Sequence, residues 1–507
     1  MKNNILKFFS DTVLNAPSKV AVIDGDDKIT FEELDLRAKI LATSIIKSNM
    51  INEPVAVFLP KSIETIITDI AITYSGNIYM NLDVKTPSIR IGKILDRIKP
   101  KLIVTNSNFA VLIHAIDITL PLIIIDEFDF KQSYTTDLIS DKLDQIIDTD
   151  PLCIINTSGS TGTPKGVVLN HRSYIDYTNW AINTFGFNGT EKLGVLSPTI
   201  FDHFNFEICL MMFKGNTLVL LDNNMASFPI KLLEHISAEK VNFIFWVPSI
   251  MVNIANMDLL TKIKLPSLKM VWFAGEVFPT KQFNYWKNNL PQSKFVNLYG
   301  PIETTVDCTY YVVERNLKDD EPIPIGYPCR NTDVLVLNKE NKLVGTNEDG
   351  ELCVRGSSLA MGYYNNVEKT SASFTQNPLN TSYPEIIYRT GDIVFKNEFG
   401  ELVFKGRIDS LIKHMGYRIE LGEIEHVIIN TLKLVKNGCI VYNYSKKAIT
   451  LFYESENDII EAEMKKKIGK VFPRYMVPSA FYQMKNLPRN TNGKIDRLKL
   501  RNQINND

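Results

Sequence analysis

Between Lys28 and about Ile250, short β-branched apolar runs alternate with segments of helical period, and this alternation narrows the fold more than any other feature of the chain. Runs such as "PVAVFLP", "KLIVTNS", "LCIINTS" and "SLKMVWFAGE" are nearly continuous in apolar residues, which suits strands buried on both faces. Strands of that kind, separated by helices, imply α/β layers built on parallel sheets. The helices carry their own start signals. In "KITFEELDLRAKILATSII", Thr30 and Glu33 have the spacing of a capping box, while Leu34, Ala38 and Leu41 recur on one helical face. Ser62 is placed to cap the helix after "PVAVFLP".

Beyond about Pro322 the texture changes to shorter strands divided by glycine and polar turns, as in "TDVLVLNKENKLVGTNEDGELCVRG" and "DIVFKNEFGELVFKGR". This predicts a small β-rich, barrel-like subdomain. Near Gly406 the pattern turns to mixed helix and strand, predicting a separate α+β domain of about 100 residues. The expected organisation is an N-terminal domain over residues 1–405, a hinge at 406–409 and a mobile C-terminal domain over 410–507.

With 507 residues the chain can bury a large core and exceeds one compact unit. Its 56 basic and 57 acidic residues leave no bias toward nucleic acid or an anionic surface. No apolar stretch approaches the roughly 20 residues that span a bilayer, and the N-terminus lacks the layout of a secretory leader, so a cytoplasmic protein without a membrane span is expected. The six cysteines form no CxxC pair and read as buried free thiols.

The chemistry concentrates first in "CIINTSGSTGTPKGVVLNH", residues 153–171, where glycines, hydroxyls and a lysine follow a strand. Successive backbone N–H groups in such a turn form a concavity for a polyphosphate. The spacing excludes a Walker-type loop, because Lys165 is preceded by Pro164 and followed by Gly166. "TSGSTGTPKGV" instead resembles the phosphate loop of the adenylate-forming superfamily, which includes acyl-CoA synthetases, luciferases and adenylation domains of nonribosomal peptide synthesis. "NLYGPIETT", "GELCVRGSSLAMGYYN", "YRTGD", "FKGRIDSLIKHMGYRIELGEIE" and "LPRNTNGKIDR" match further motifs of that superfamily in order.

The resemblance implies ATP-dependent activation of a carboxylic acid with Mg²⁺, through a large domain and a small mobile one. It places Thr157, Ser158, Gly159, Ser160, Thr161, Gly162 and Lys165 around the phosphates, with Asn297, Tyr299, Gly300 and Thr304 beside the nucleotide. Glu303 resembles the Mg²⁺-associated glutamate, Asp392 the ribose-binding aspartate, and Arg407 lies near ribose and phosphate. Lys494 resembles the catalytic lysine that bridges the substrate carboxylate and the α-phosphate, with Thr161 and Glu303 sharing the catalytic work. Asp409 stands at the family's hinge, and Gly416 on the loop presented to a pantetheine thiol after domain rotation.

The substrate is indicated by "FDHFNFE", similar to the FDxxxxE pattern of amino-acid adenylation domains, in which Asp202 would pair with the α-ammonium. The family's pocket positions fall on Asp202, His203, Phe206, Phe245, Trp272, Ala274, Leu298, Val306, Asp307 and Lys494. Three large aromatic side chains imply a compact substrate, and the later positions resemble pockets for serine and proline, with alanine also open. Asp307, coupled with His203, offers a hydrogen-bond acceptor or a charge. Only 13 residues follow Lys494, so the thioester is expected on the phosphopantetheine arm of a separate peptidyl or acyl carrier protein. A D-alanine to carrier protein ligase and an acyl-CoA synthetase are the alternative enzymes, and a non-catalytic nucleotide-binding protein the alternative of another class.

Overall fold

A computed structural model of the protein describes residues 2–116, 119–158, 164–407, 411–455, 460–489 and 495–505. The expected parallel strands form two large sheets. In the nine-stranded sheet, Lys294–Tyr299, Met270–Phe273, Phe243–Trp246, Lys192–Val195, Thr217–Leu220 and Val20–Asp24 run parallel, and antiparallel strands close both edges. In the seven-stranded sheet, Pro151–Thr157, Ile78–Asn81, Pro54–Phe58, Leu102–Thr105 and Leu122–Ile124 are parallel, and Lys165–Asn170 returns antiparallel beside Pro151–Thr157.

The helices between these sheets are apolar over most of their circumference, as a helix covered on two sides must be. Helix Ile63–Tyr74 buries every residue except Glu64, and helix Asp202–Lys214 is buried from Asp202 to Met212. One contiguous core joins both sheets through these helices and helices Phe31–Ile46 and His171–Phe185. The capping box of Thr30 and Glu33 is formed, and the Ser62 hydroxyl accepts the Thr65 N–H. All six cysteines are buried and free. No helix among the described residues is long and apolar enough to cross a membrane.

The predicted β-rich region is a five-stranded antiparallel sheet made of Thr332–Leu337, Gly350–Gly356, Phe374–Gln376, Ile386–Lys396 and Leu402–Arg407. Its apolar face shares a core with Tyr299 and Cys308 of the large sheet's edge. After it come the hairpin Leu411–His414 and Tyr417–Glu420, and a three-stranded sheet of Asn437–Asn443, Ala448–Glu454 and Ala480–Met484 with its own core. The hairpin lies against the C-terminal ends of strands from both large sheets, and the candidate site forms there.

Candidate functional site

A cavity opens where the two large sheets and the hairpin meet. Its lining includes Thr157, Ser158, Asp202, His203, Gly300, Lys413, Gly416 and Arg418. Parallel strands converge on such a crevice because their loops leave at one common edge. Within the stretch 153–171, Thr157, Ser158 and Pro164 line the cavity, and Thr157 pairs with Lys165 in antiparallel register. Gly159, Ser160, Thr161 and Gly162 lie outside the described residues, as do Asp409 and Lys494.

The phosphate side of the cavity is crowded with ionised groups. Lys165 Nζ is 3.7 Å from Glu303 Oε1 and 3.6 Å from Glu420 Oε1, with the lysine only 4% exposed. Burial, helped by the nearby Arg418, lowers this lysine to about 8 against the pull of the two carboxylates. Glu303 is fully buried, accepts the Tyr363 hydroxyl at 2.7 Å and forms an ion pair with Arg418. Burial alone would push its carboxyl up, but Arg418 and Lys165 outweigh that and hold it at about 2. Ser158 ties the hairpin down twice: its hydroxyl donates to the Arg418 carbonyl at 2.7 Å and accepts the Glu420 N–H at 2.9 Å.

The neighbouring groups are partnered within the protein. Asp392 accepts the Tyr299 hydroxyl and pairs with Arg407, whose second nitrogen donates to the Thr390 carbonyl at 2.9 Å. Asn297 donates to the Pro324 carbonyl at 2.7 Å, and the Thr304 hydroxyl to the Pro301 carbonyl at 2.9 Å. Lys413 Nζ lies 5.4 Å from the Tyr299 ring centroid, and burial lowers its pKa.

At the other end Asp202 begins helix Asp202–Lys214, 6% exposed, and accepts the His203 N–H at 3.0 Å. Burial raises its carboxyl to about 7. His203 is held to about 3 by burial, and its ring lies 4.2 Å from that of Phe245. Behind them Phe206 stacks on Trp272 with centroids 5.6 Å apart, and Phe245 meets Trp272 edge-on. Ala274, Leu298, Val306 and Asp307 are each buried.

Gly300 makes this geometry feasible, since a Cβ there would stand 2.4 Å from the Asp307 Cα. Gly416 is a comparable case on the hairpin. At φ +81° its N–H donates to Glu276 Oε1 at 2.9 Å, and a Cβ would come within 2.8 Å of Val247.

Of the described residues named from sequence, the site brings Thr157, Ser158, Asp202, His203, Gly300 and Gly416 onto the cavity's lining, whereas Phe206, Phe245, Trp272, Ala274, Leu298, Val306 and Asp307 are buried and are not part of that lining. The site adds Lys413, Arg418, Glu420 and Glu276, which the sequence reading passed over. Three of these had a legible signal. Lys413 pairs directly with Arg418 across the hairpin, and Glu420 follows two residues later, so period-two alternation puts all three charges on one face.

The family model described as "AMP-binding enzyme" matches residues 9–364. The chain belongs to the AMP-binding enzyme family. It is 30% identical to zwittermicin A synthase ZmaJ of Bacillus cereus over 98% of this chain and 94% of that protein. Tyrocidine synthase 1 of Brevibacillus parabrevis is 29% identical over 98% of this chain, which spans only 45% of that relative's length. Among solved structures, the Vibrio cholerae adenylation domain AlmE in complex with glycyl-adenosine-5′-phosphate matches at TM-score 0.85 with 21% identity, over 100% of this chain and 98% of that one. At that identity the likeness speaks for the fold.

The chain is therefore an adenylate-forming ligase, of a family that uses ATP with Mg²⁺. Glu303 fits a magnesium ligand: it is ionised, buried and a single carboxylate, as suits an ion that otherwise keeps water and phosphate oxygens. Bound there, magnesium would neutralise phosphate charge. In the present arrangement Arg418 holds the same carboxylate.

Proposed function

We propose that this enzyme adenylates a small amino acid and passes the aminoacyl group to the phosphopantetheine thiol of a carrier protein. The observation that carries the reading is Asp202, a buried carboxylate at the cavity wall backed by aromatic rings. A carboxylate so far from water calls for a cation, and the α-ammonium of an amino acid supplies one where a fatty or aryl acid does not.

In the first step a substrate carboxylate oxygen attacks the α-phosphorus as the bond to the β-phosphate oxygen breaks and pyrophosphate leaves. Lys165 and the loop before it hold the leaving group, and Asp202 orients the nucleophile. Lys494 would bridge the reacting oxygens. In the second step the thiol sulfur bonds to the acyl carbon, its proton is lost, and AMP departs. Support for two arrangements comes from the hairpin: Arg418 and Glu420 now cover Glu303 and Lys165, the groups that the triphosphate needs. Rotation about Asp409 would withdraw them, with the C-terminal domain of 410–507 moving on the body of 1–405. Gly416 packs its backbone closely against Val247 and Phe201, and on this reading it lies on the face that a thiol arm would approach.

Pyrophosphate exchange with the twenty L-amino acids, D-alanine and a set of fatty and aryl acids tests the proposal. Exchange is expected with a small amino acid; exchange with a fatty or aryl acid alone overturns it. Thioester formation on carrier protein against coenzyme A then decides the acceptor.

A further inference from the structure

The hairpin of Leu411–His414 and Tyr417–Glu420 turns through Met415 and Gly416, whose φ of 53° and 81° are both positive, as a two-residue hairpin turn requires. The N–H groups of such a turn lie outside the strand ladder and need an acceptor from elsewhere. For Gly416 that acceptor is Glu276 Oε1, at 2.9 Å, on the body of the protein. The second oxygen of the same carboxylate is engaged too: Oε2 accepts the Ser249 N–H at 2.9 Å. Ser249 lies in the first turn of helix Pro248–Asn256, whose cap residue, Val247, has no side-chain oxygen to offer. One carboxylate thus completes a helix start in the body and fastens the hairpin to it.

The seat is close as well as bonded. Gly275, at φ +90°, turns the chain after strand Met270–Phe273 and brings Glu276 to the helix start. The Gly416 backbone lies against Val247, where a Cβ would come within 2.8 Å, and the Tyr417 ring meets that of Phe201 edge-on at 5.0 Å.

This contact differs in kind from the others that hold the hairpin. Arg418 pairs with Glu303 and Glu420 with Lys165, while Ser158 bonds to both residues' backbones. Those body groups are the ones that magnesium and the triphosphate take up, so a bond lost when the hairpin lifts is exchanged for a bond to ligand. Glu276 makes no hydrogen bond to a nucleotide-side group among the described residues, and a polyanion offers its carboxylate nothing in exchange for the Gly416 N–H.

We infer that Glu276 is a positioning residue, the catch that holds the hairpin over the phosphate side and that ATP binding must release. The inference rests on the two-arrangement reading above and adds the group that sets the balance between them. It carries a distinctive sign. Removing the catch should strengthen ATP binding, because only the lifted state accepts the triphosphate and its population would rise. Damage to a binding site has the opposite sign. AMP lacks the β- and γ-phosphates that compete with Glu420 and Arg418, so its affinity should not respond.

The test is titration calorimetry of the full chain with Mg·ATP and with AMP. Glu276→Ala is expected to lower the Kd for Mg·ATP about tenfold, as loss of a charge-assisted hydrogen bond allows, with AMP held within about twofold. Glu276→Gln keeps the shape and one acceptor oxygen and should give about threefold. Glu420→Ala frees Lys165 directly and should also tighten Mg·ATP, which makes it the reference.

If Glu420→Ala tightens Mg·ATP and Glu276→Ala does not, the catch is wrong while the two arrangements stand. If neither does, the two-arrangement reading falls as well. An equal shift for Mg·ATP and AMP makes Glu276 merely structural and overturns its role. The wild-type enzyme supplies a check that needs no variant: hydrogen exchange in peptides covering 411–420 should be slow without nucleotide and faster with Mg·ATP, and equal exchange in both conditions overturns the catch.

Discussion

The two sides of the cavity are built by opposite means. The side behind Asp202 and His203 is packed from rings: Trp272 alone touches the rings of Phe185, Phe187, Phe206, Phe243, Phe245 and Trp180. The hairpin wall is held mainly by charge, through Arg418 on Glu303, Glu420 on Lys165, and Arg90 on Glu423 at 2.5 Å. Close-packed rings have one arrangement of lowest energy and resist displacement. A buried ion pair is nearly balanced between Coulomb gain and lost hydration, so a competing polyanion or cation can exchange with it. A selector belongs on the first kind of surface, and a part that must withdraw belongs on the second.

Breaking the ring wall should show the largest effect. Trp272→Ala is expected to cost about 3–5 kcal/mol of stability, read from urea unfolding, because no neighbouring side chain can refill the cavity. Asp202→Ala should come next, lowering kcat/KM for the amino acid about 100-fold or more in pyrophosphate exchange while the KM for ATP stays within twofold. An equal loss for both substrates would remove Asp202 from the ammonium site.

Breaking the charged wall should act on one half-reaction. Arg418→Ala deprives the present arrangement of its pairing with Glu303, so thioester formation from a preformed adenylate should fall about tenfold in single-turnover measurements, with exchange changed less than threefold. The smallest effect is a pH slope. Burial raises the Asp202 carboxyl to about 7, and under the proposed function its ionised form is the one that would bind the ammonium. Below that pH the protonated fraction grows, so the apparent Kd for the amino acid should rise by up to about tenfold per pH unit, and level off above it. Asp202→Asn should flatten the profile.

Much of the ring wall was legible in the sequence, because the residues lie in short motifs whose order matches a family. Thr157, Ser158 and Pro164 beside the phosphate loop, Gly300 to Ile302 of "YGPIETT", and Phe201 to His203 of "FDHFNFE" all line the cavity. The hairpin was less legible. "KHMGYRIELGE" was read for Gly416 alone, although Lys413, Arg418 and Glu420 carry the charges that meet Glu303 and Lys165. Their partners lie more than 100 residues away in sequence, and nothing local to the hairpin states which face it will meet.

The sequence by itself determined the parallel α/β layers, the caps of the helices, the burial of the thiols and the family. Each of these follows from local propensity, apolar period or motif order, which are properties of neighbouring residues. Only the tertiary structure decided how Glu303 stays ionised without water and what the hairpin covers. Those depend on desolvation and on distances between segments far apart in the chain, and neither quantity exists until the sheets have closed around the cavity.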